Sequence, residues 1–135
     1  MKQFLFLILP CFLISCTSQA QRLEIILDDH ELIINNHVGN EWGFGLERND
    51  SIYGPQEPMY TSVNGKCKLR VYVQEIDKYT EEVTQWFEID PTKLESDKIY
   101  TKEIEFIIQE NMGRYAGNTA KWVLTLKYRK IGERA

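Results

Sequence analysis

The chain has 135 residues, of which 20 are acidic and 16 are basic, and its formal net charge is −4. This length suits one globular domain with a single hydrophobic core. No basic cluster stands out against the mild acidity, so nucleic acid is excluded as an expected partner.

The first residues have the features of an export signal. Lys2 precedes an uncharged apolar run from Phe4 to Ile14, which is too short and wrongly flanked for a membrane-spanning helix. The run leads into Leu13-Ile14-Ser15-Cys16. This tetrapeptide resembles the lipobox of bacterial lipoproteins, whose cysteine is acylated and becomes the new N-terminus. The resemblance implies that residues 1–15 are a signal peptide and that Cys16 carries lipid.

Lipid on Cys16 would anchor the protein to a membrane through buried methylene groups. Thr17 follows the cysteine where aspartate would favour inner-membrane retention, so the resemblance implies an outer-membrane lipoprotein of the cell envelope, facing the periplasm or the surface. Ordinary cleavage after Ala20 is the alternative, because Ser18-Gln19-Ala20 is a small-x-small site, and it would give a soluble periplasmic or secreted protein. We expect a lipidated tether over residues 16–22 and one domain over residues 23–135.

Cysteine usage agrees with this organisation. Cys11 would leave with the signal and Cys16 would be acylated, which leaves Cys67 without a disulfide partner. Cys67 shares the apolar parity of its strand with Leu69 and Val71, so we expect a buried, unreactive thiol.

Apolar residues recur with period two along most of the remaining chain, which predicts an all-β fold. We expect a single antiparallel β-sandwich of about eight strands, although a closed barrel also fits the pattern. Asn64-Gly65 accepts positive φ and predicts a tight hairpin between the strands on either side of it. The predicted strands are Leu23–Leu27, Leu32–Ile34, Trp42–Leu46, Met59–Val63, Lys66–Glu75, Val83–Ile89, Tyr100–Gln109 and Ala120–Ile131.

Two aromatic residues fall on the polar parity of their strands. Tyr72 alternates with Arg70 and Gln74, and Trp86 with Thr84 and Glu88. Aromatic rings beside cationic side chains could form a flat surface for a protein or a sugar ring. The simpler interpretation is cross-strand pairing that covers the sheet. The other strand aromatics follow the apolar parity and are expected in the core: Trp42, Phe44, Phe87, Phe106 and Trp122.

The segment Glu110–Trp122, which joins the two longest predicted strands, is rich in residues that tolerate positive φ. Asn111, Gly113, Gly117 and Asn118 surround Arg114 and Tyr115, which we expect at the tip of a loop. Such a tip suits recognition of a carboxylate, a sugar or a protein edge. Alternatively, Arg114 pairs with a local carboxylate such as Glu110, and Tyr115 packs onto the end of the sandwich.

An acidic connection between two strands is a weak candidate for metal binding. Glu75, Asp77 and Glu81 could supply oxygen ligands to calcium. Their arrangement resembles the acidic loop of calcium- and lipid-binding sandwich domains of the synaptotagmin type, which need a second acidic loop. Lys78 lies within the cluster and would oppose a cation, so a solvated acidic turn is the simpler interpretation.

Catalytic patterns are weak, because His30 and His37 are the only histidines and no serine or cysteine has a nucleophile's context. We therefore expect a non-enzymatic binding module of the bacterial envelope, with no cofactor other than possible calcium. The expected partner is a protein, either in an envelope assembly or as the target of an immunity protein. A carbohydrate ligand and calcium-dependent binding are the alternatives, and a hydrolase that uses carboxylates alone is the least favoured one.

Overall fold

The computed structural model of the chain describes residues 19–77 and 79–133. These residues form eight strands and one short 3₁₀ turn at Pro91–Lys93. The strands are β1 Gln21–Asn35, β2 Trp42–Arg48, β3 Ser51–Tyr53, β4 Met59–Val63, β5 Cys67–Glu75, β6 Glu81–Ile89, β7 Tyr100–Gln109 and β8 Thr119–Ile131.

The eight strands form two antiparallel sheets of four, in the orders β4-β1-β8-β7 and β3-β2-β5-β6. We call them sheet A and sheet B. Their inner faces enclose one apolar core, in which Leu23, Leu69, Phe106 and Leu124 are completely buried. The predicted all-β sandwich is confirmed. In the described part of the chain, no helix is long and apolar enough to cross a membrane.

The lipobox and Cys16 lie outside the described residues, so lipidation stays a prediction. β1 already begins at Gln21, and Gln21 and Arg22 pair with Val63 and Ser62 of β4. These two residues were expected in the tether. They instead extend β1, because β4 pairs with both of them and β8 also pairs with Arg22.

Two predicted strands, Leu23–Leu27 and Leu32–Ile34, are parts of β1. The Asp28-Asp29 pair between them does not end the strand, because its partner β8 continues alongside and the register shifts between Leu27 and Asp29. A second shift lies between Leu32 and Ile34. Such bulges let a strand absorb an extra residue without losing its pairing.

The hairpin predicted at Asn64-Gly65 is wrong. β4 pairs with β1 in sheet A, whereas β5 pairs with β2 and β6 in sheet B. A tight type I′ turn needs positive φ at both central residues, and here Gly65 alone of the two has it. The two-residue hairpin instead lies at Asn49-Asp50, with φ of 50° and 62°, between β2 and β3.

The apolar parity of the remaining strands predicts their orientation well. Phe106 and Trp122 are buried, and Trp42, Phe44 and Phe87 pack against the core. Cys67 is fully buried, as expected, and burial raises the pKa of its thiol. A buried protonated thiol is a poor nucleophile.

Candidate functional site

Three strand connections meet at one end of the sandwich because of the strand register. Trp42 pairs with Glu75 across β2 and β5, and Glu75 pairs with Glu81 across β5 and β6. In sheet A, Asn35 pairs with Ala120 and Gln109 pairs with Thr119. The connections β1–β2, β5–β6 and β7–β8 therefore share this end. We call it the loop end, formed by residues 36–41, 76–77 with 79–80, and 110–118.

The β1–β2 connection is fixed by Asn35. The amide Nδ2 of Asn35 donates to the carbonyl of Gly39 at 3.1 Å, and its Oδ1 accepts from the N–H of Val38 at 2.9 Å. Val38 is buried and joins the core, while His37 has a positive φ of 57°. The imidazole of His37 is therefore exposed next to Val38, whose buried side chain covers this end of the core.

The β7–β8 loop is closed by its own backbone. The N–H of Gly117 donates to the carbonyl of Glu110 at 2.7 Å, and the N–H of Glu110 donates to the carbonyl of Asn118 at 2.8 Å. Gly113 and Gly117 have positive φ of 81° and 94°, as expected for reversals of the chain. The described residues with positive φ do not include Asn111 or Asn118, so the glycines alone provide those reversals.

Arg114 and Tyr115 form part of a stack at the loop end. The ring of Tyr115 lies on the imidazole of His37 with a centroid separation of 5.2 Å and an interplanar angle of 18°. The guanidinium carbon of Arg114 lies 5.8 Å from the centre of the Tyr115 ring. Within residues 19–77 and 79–133, Arg114 forms no ion pair, and Tyr115 is 44% exposed. Arg114 therefore lacks the local ion pair of the simpler interpretation among the described residues, whereas Tyr115 packs onto the end of the sandwich through His37 and stays partly exposed.

Three carboxylates converge beside this stack. Glu75, Asp77 and Glu110 each place one oxygen within 4.8 Å of the oxygens of the other two. Glu75 and Asp77 come from sheet B and its connection, whereas Glu110 follows the last strand residue of β7 in sheet A. Glu110 was not among the expected ligands, because it lies 35 positions from Glu75 in the sequence and only the pairing of the sheets brings them together.

Glu81, which was expected in the acidic set, is not one of these three residues. Its Oε1 accepts a hydrogen bond from the N–H of Asn111 at 2.7 Å, which ties β6 to the β7–β8 loop. Its Oε2 is buried without a hydrogen-bond partner among the described residues. Glu81 therefore positions the loop and adds negative charge beside the three carboxylates. Lys78 lies outside the described residues.

Glu75 is an unusual residue in this cluster, since it is 1% exposed and its Oε2 has no hydrogen-bond partner among the described residues. Burial raises the pKa of Glu75, and the nearby charges of Asp77, Glu110, Glu81 and Glu41 raise it further. Both effects disfavour the carboxylate form. The side chain packs against Gly39, where a Cβ would collide with the carboxylate. The Glu75 side chain therefore fits only because residue 39 of the β1–β2 connection has no Cβ.

A groove of about 470 Å³ opens next to the carboxylates. Its volume falls in the range of small-molecule sites. Its lining includes the ring of Tyr115 and the imidazole of His37, together with polar groups of Asn40, Asp77 and Glu110. Aromatic, amide and acidic groups from three separate connections therefore share one concave surface.

Tyr72 and Trp86, the two residues expected to form an aromatic surface on the sheet, differ in how exposed they are. Trp86 is 63% exposed, and the ammonium of Lys68 lies 4.8 Å from its ring centre. Tyr72 is only 8% exposed, which contradicts its expected role in an open aromatic surface. Its ring occupies the space that a Cβ on Gly45 would need, and the Arg70 guanidinium lies 4.9 Å from the ring centre. Tyr72 covers the sheet, as the simpler interpretation proposed.

Arg70 is itself held in place, since its Nε donates to Glu47 at 2.7 Å and its Nη1 to Glu82 at 2.6 Å. Trp86 lies five residues along β6 from Glu81, which corresponds to about 17 Å of strand. The structure therefore separates Trp86 from the Arg114–Tyr115 tip, and the two do not form one continuous site.

No family model matches this chain, and neither a curated protein nor a solved structure gives a significant match.

Proposed function

We propose that this protein is a non-enzymatic binding module of the bacterial cell envelope that contacts a protein partner through its loop end. The observation that carries the proposal is the exposed apolar and aromatic set at that end. Ile76, Tyr79, Met112 and Tyr115 are between 41% and 51% exposed, and they come from two different connections. Arg114 stands beside them with its guanidinium on Tyr115.

This composition supports a protein partner, because tyrosine, methionine and arginine are enriched at protein interfaces. Tyrosine and arginine also dominate the residues that carry binding energy. The loop that presents Met112, Arg114 and Tyr115 is closed by hydrogen bonds between Glu110 and residues 117 and 118. A surface that is ordered before binding loses less conformational entropy when the partner arrives.

The proposal includes membrane anchoring through lipid on Cys16, which rests on the lipobox resemblance alone. Anchoring would place the loop end near other envelope proteins, either as partners in an assembly or as a toxin that this protein neutralises. Replacing Cys16 by alanine should release the protein from the membrane fraction. A wild-type protein that is already soluble would instead indicate cleavage after Ala20.

Site-specific photo-crosslinking in cells tests the protein partner. A photoreactive residue at Met112 should capture a partner, whereas one at Ile52, which is 60% exposed on β3 at the opposite end of β2, should not. The double change Arg114→Ala and Tyr115→Ala should remove the Met112 adduct. Equal capture from both positions, or an adduct that survives the double change, would refute the proposal.

A carbohydrate ligand is the second candidate, and the groove of about 470 Å³ favours it. An exposed Tyr115 ring offers a stacking surface, and the side chains of Asn40 and Asp77 offer polar groups to hydroxyls at the same place. Calorimetric titration with envelope polysaccharide fragments should then give heat with wild type and none with Tyr115→Ala. Heat that is unchanged in Tyr115→Ala would exclude stacking in this groove.

A further inference from the structure

We propose that Glu75, Asp77 and Glu110 form a calcium-binding site at the loop end. The proposal does not depend on the identity of the partner, because it concerns only these carboxylates and the ion between them. It extends the proposed binding function by giving the loop end a structural ion.

The spacing of the donor atoms fits calcium. One oxygen from each of the three carboxylates lies within 4.8 Å of the others. Calcium binds oxygen at 2.3–2.6 Å, so opposite oxygens of its coordination shell are about 5 Å apart. Magnesium binds at about 2.1 Å, demands a near-octahedral shell and releases its waters reluctantly. Because every donor in the set is a carboxylate oxygen, softer metals that prefer imidazole or thiolate are disfavoured.

The buried Glu75 carboxylate is an independent observation in favour of an ion. A cluster of exposed acids at a turn is ordinarily solvated, whereas Glu75 is 1% exposed and its Oε2 accepts no hydrogen bond from the described residues. An unpaired buried carboxylate is costly because neither water nor a donor compensates its charge. A bound cation supplies that compensation, since one oxygen of Glu75 faces those of Asp77 and Glu110.

The charges around the three carboxylates also favour a bound cation. Within residues 19–77 and 79–133, no lysine or arginine forms an ion pair with Glu75, Asp77 or Glu110. Glu41 and Glu81 add further negative charge near Glu75. Several carboxylates that form no ion pair within the described part of the chain have the charge that a divalent ion requires.

Two of the ligands are already oriented by backbone donors. Asp77 Oδ1 accepts from the N–H of Tyr79 at 2.6 Å, and Glu110 Oε1 accepts from the N–H of Met112 at 3.2 Å. Such outer hydrogen bonds fix the direction of a ligand before the metal arrives. Calcium accepts 6–8 oxygens, so second carboxylate oxygens and water would complete its shell.

The ion would join the two sheets at this end. Glu75 ends β5 in sheet B, and Glu110 follows β7 in sheet A and opens the loop that carries Arg114 and Tyr115. Binding would therefore restrain the position of that loop relative to sheet B. The wild-type fold gains stability from any ligand that binds only the folded state.

Thermal unfolding of the full-length protein in detergent, after removal of divalent ions, tests the proposal. Calcium at about 10 mM should raise the melting temperature by about 5–10 °C, given the affinity of about 10⁻⁴–10⁻³ M typical of extracellular calcium modules. Magnesium at the same concentration should raise it by less than half as much. No shift with calcium, or equal shifts with both ions, would overturn the assignment.

Substitutions locate the site. Glu75→Gln keeps the side-chain volume and removes an unpaired buried charge, so it should melt no lower than wild type without calcium and should lose the calcium shift. Glu110→Gln should also lose most of the shift. Glu103→Gln is the matched control, because Glu103 is exposed on β7 away from the cluster and should keep the full shift. A full calcium shift in Glu75→Gln would refute the site even if the wild type binds calcium elsewhere.

Discussion

The carboxylate of Glu75 packs against the backbone of Gly39 so closely that a Cβ on residue 39 would occupy the space of the carboxylate. The contact joins the β1–β2 connection to the last residue of β5. It explains why a glycine stands at this point of the loop: φ at Gly39 is not in the left-handed region, so the need is for space rather than for an unusual backbone.

Gly39→Ala should therefore lower the stability of the fold and displace Glu75. Overpacking of this kind typically costs about 1–3 kcal/mol, and urea unfolding measures it. Displacement should also remove the calcium-dependent rise in melting temperature.

Gly54→Ala is the matched control for Gly39→Ala. The nearest atom to a Cβ at Gly54 is the Glu57 Oε2 at 4.0 Å, which is ordinary contact distance. Its effect should stay within about 0.5 kcal/mol. If both variants unfold at the same urea concentration as wild type, the close contact between Gly39 and Glu75 is not present in solution.

Tyr72 and Trp86 should differ sharply in their effect on stability. Tyr72→Ala removes a buried ring from beneath Arg70 and should cost about 2–4 kcal/mol, by analogy with other buried aromatic residues. Trp86→Ala removes an exposed ring whose contact with Lys68 contributes about 0.5–1 kcal/mol, so its cost should not exceed about 1 kcal/mol. Chemical denaturation of both variants measures the difference, and equal costs would contradict the burial of Tyr72.

Tyr72 and Trp86 show one limit of prediction from the sequence pattern. The alternation of polar and apolar residues correctly places both rings on the outer face of sheet B. It does not show which of the two rings a neighbouring side chain covers. Tyr72 is covered because Gly45 opposes it in β2 and leaves room for the ring, and because Arg70 is held over it by two carboxylates. These contacts join different strands, so they depend on the register in which the strands pair.

The same limit applies to the acidic site. The sequence predicts an acidic connection at Glu75 and Asp77, since both lie in one short segment. Glu110 joins them only because β7–β8 and β5–β6 turn at the same end of the sandwich. Likewise, Asn64-Gly65 looks like a hairpin locally, but the chain uses it to cross from sheet A to sheet B. The alternation of apolar and polar residues predicts most strands, whereas the pairing partners of each strand depend on the whole fold.

Asp90 should make stability depend on pH. Its Oδ1 accepts from the Thr92 hydroxyl at 2.6 Å and from the Thr92 N–H at 3.1 Å, and these hydrogen bonds lower the pKa of Asp90 below its usual value. Because the carboxyl has a higher pKa in the unfolded chain, the charged form stabilises the fold above about pH 4 and this contribution is lost as the pH falls through the folded-state pKa.

Asp90→Ala should therefore melt at a lower temperature than wild type near pH 7, and the gap should narrow towards about pH 3. Melting curves followed by circular dichroism across this range measure it. Thr92→Val, which removes the hydroxyl donor but keeps the carboxylate, should show part of the same effect. A gap that stays constant down to about pH 3 would contradict a lowered pKa of Asp90 in the folded protein.

Amide chemical shifts measured by nuclear magnetic resonance during a calcium titration test the loop end most directly. Saturating calcium should shift amides in residues 36–41, 75–81 and 110–118, and should leave those around Trp86 and β3 unchanged. Glu75→Gln should abolish these shifts. An unchanged wild-type spectrum at about 10 mM calcium, or shifts centred away from the loop end, would contradict a calcium site formed by Glu75, Asp77 and Glu110.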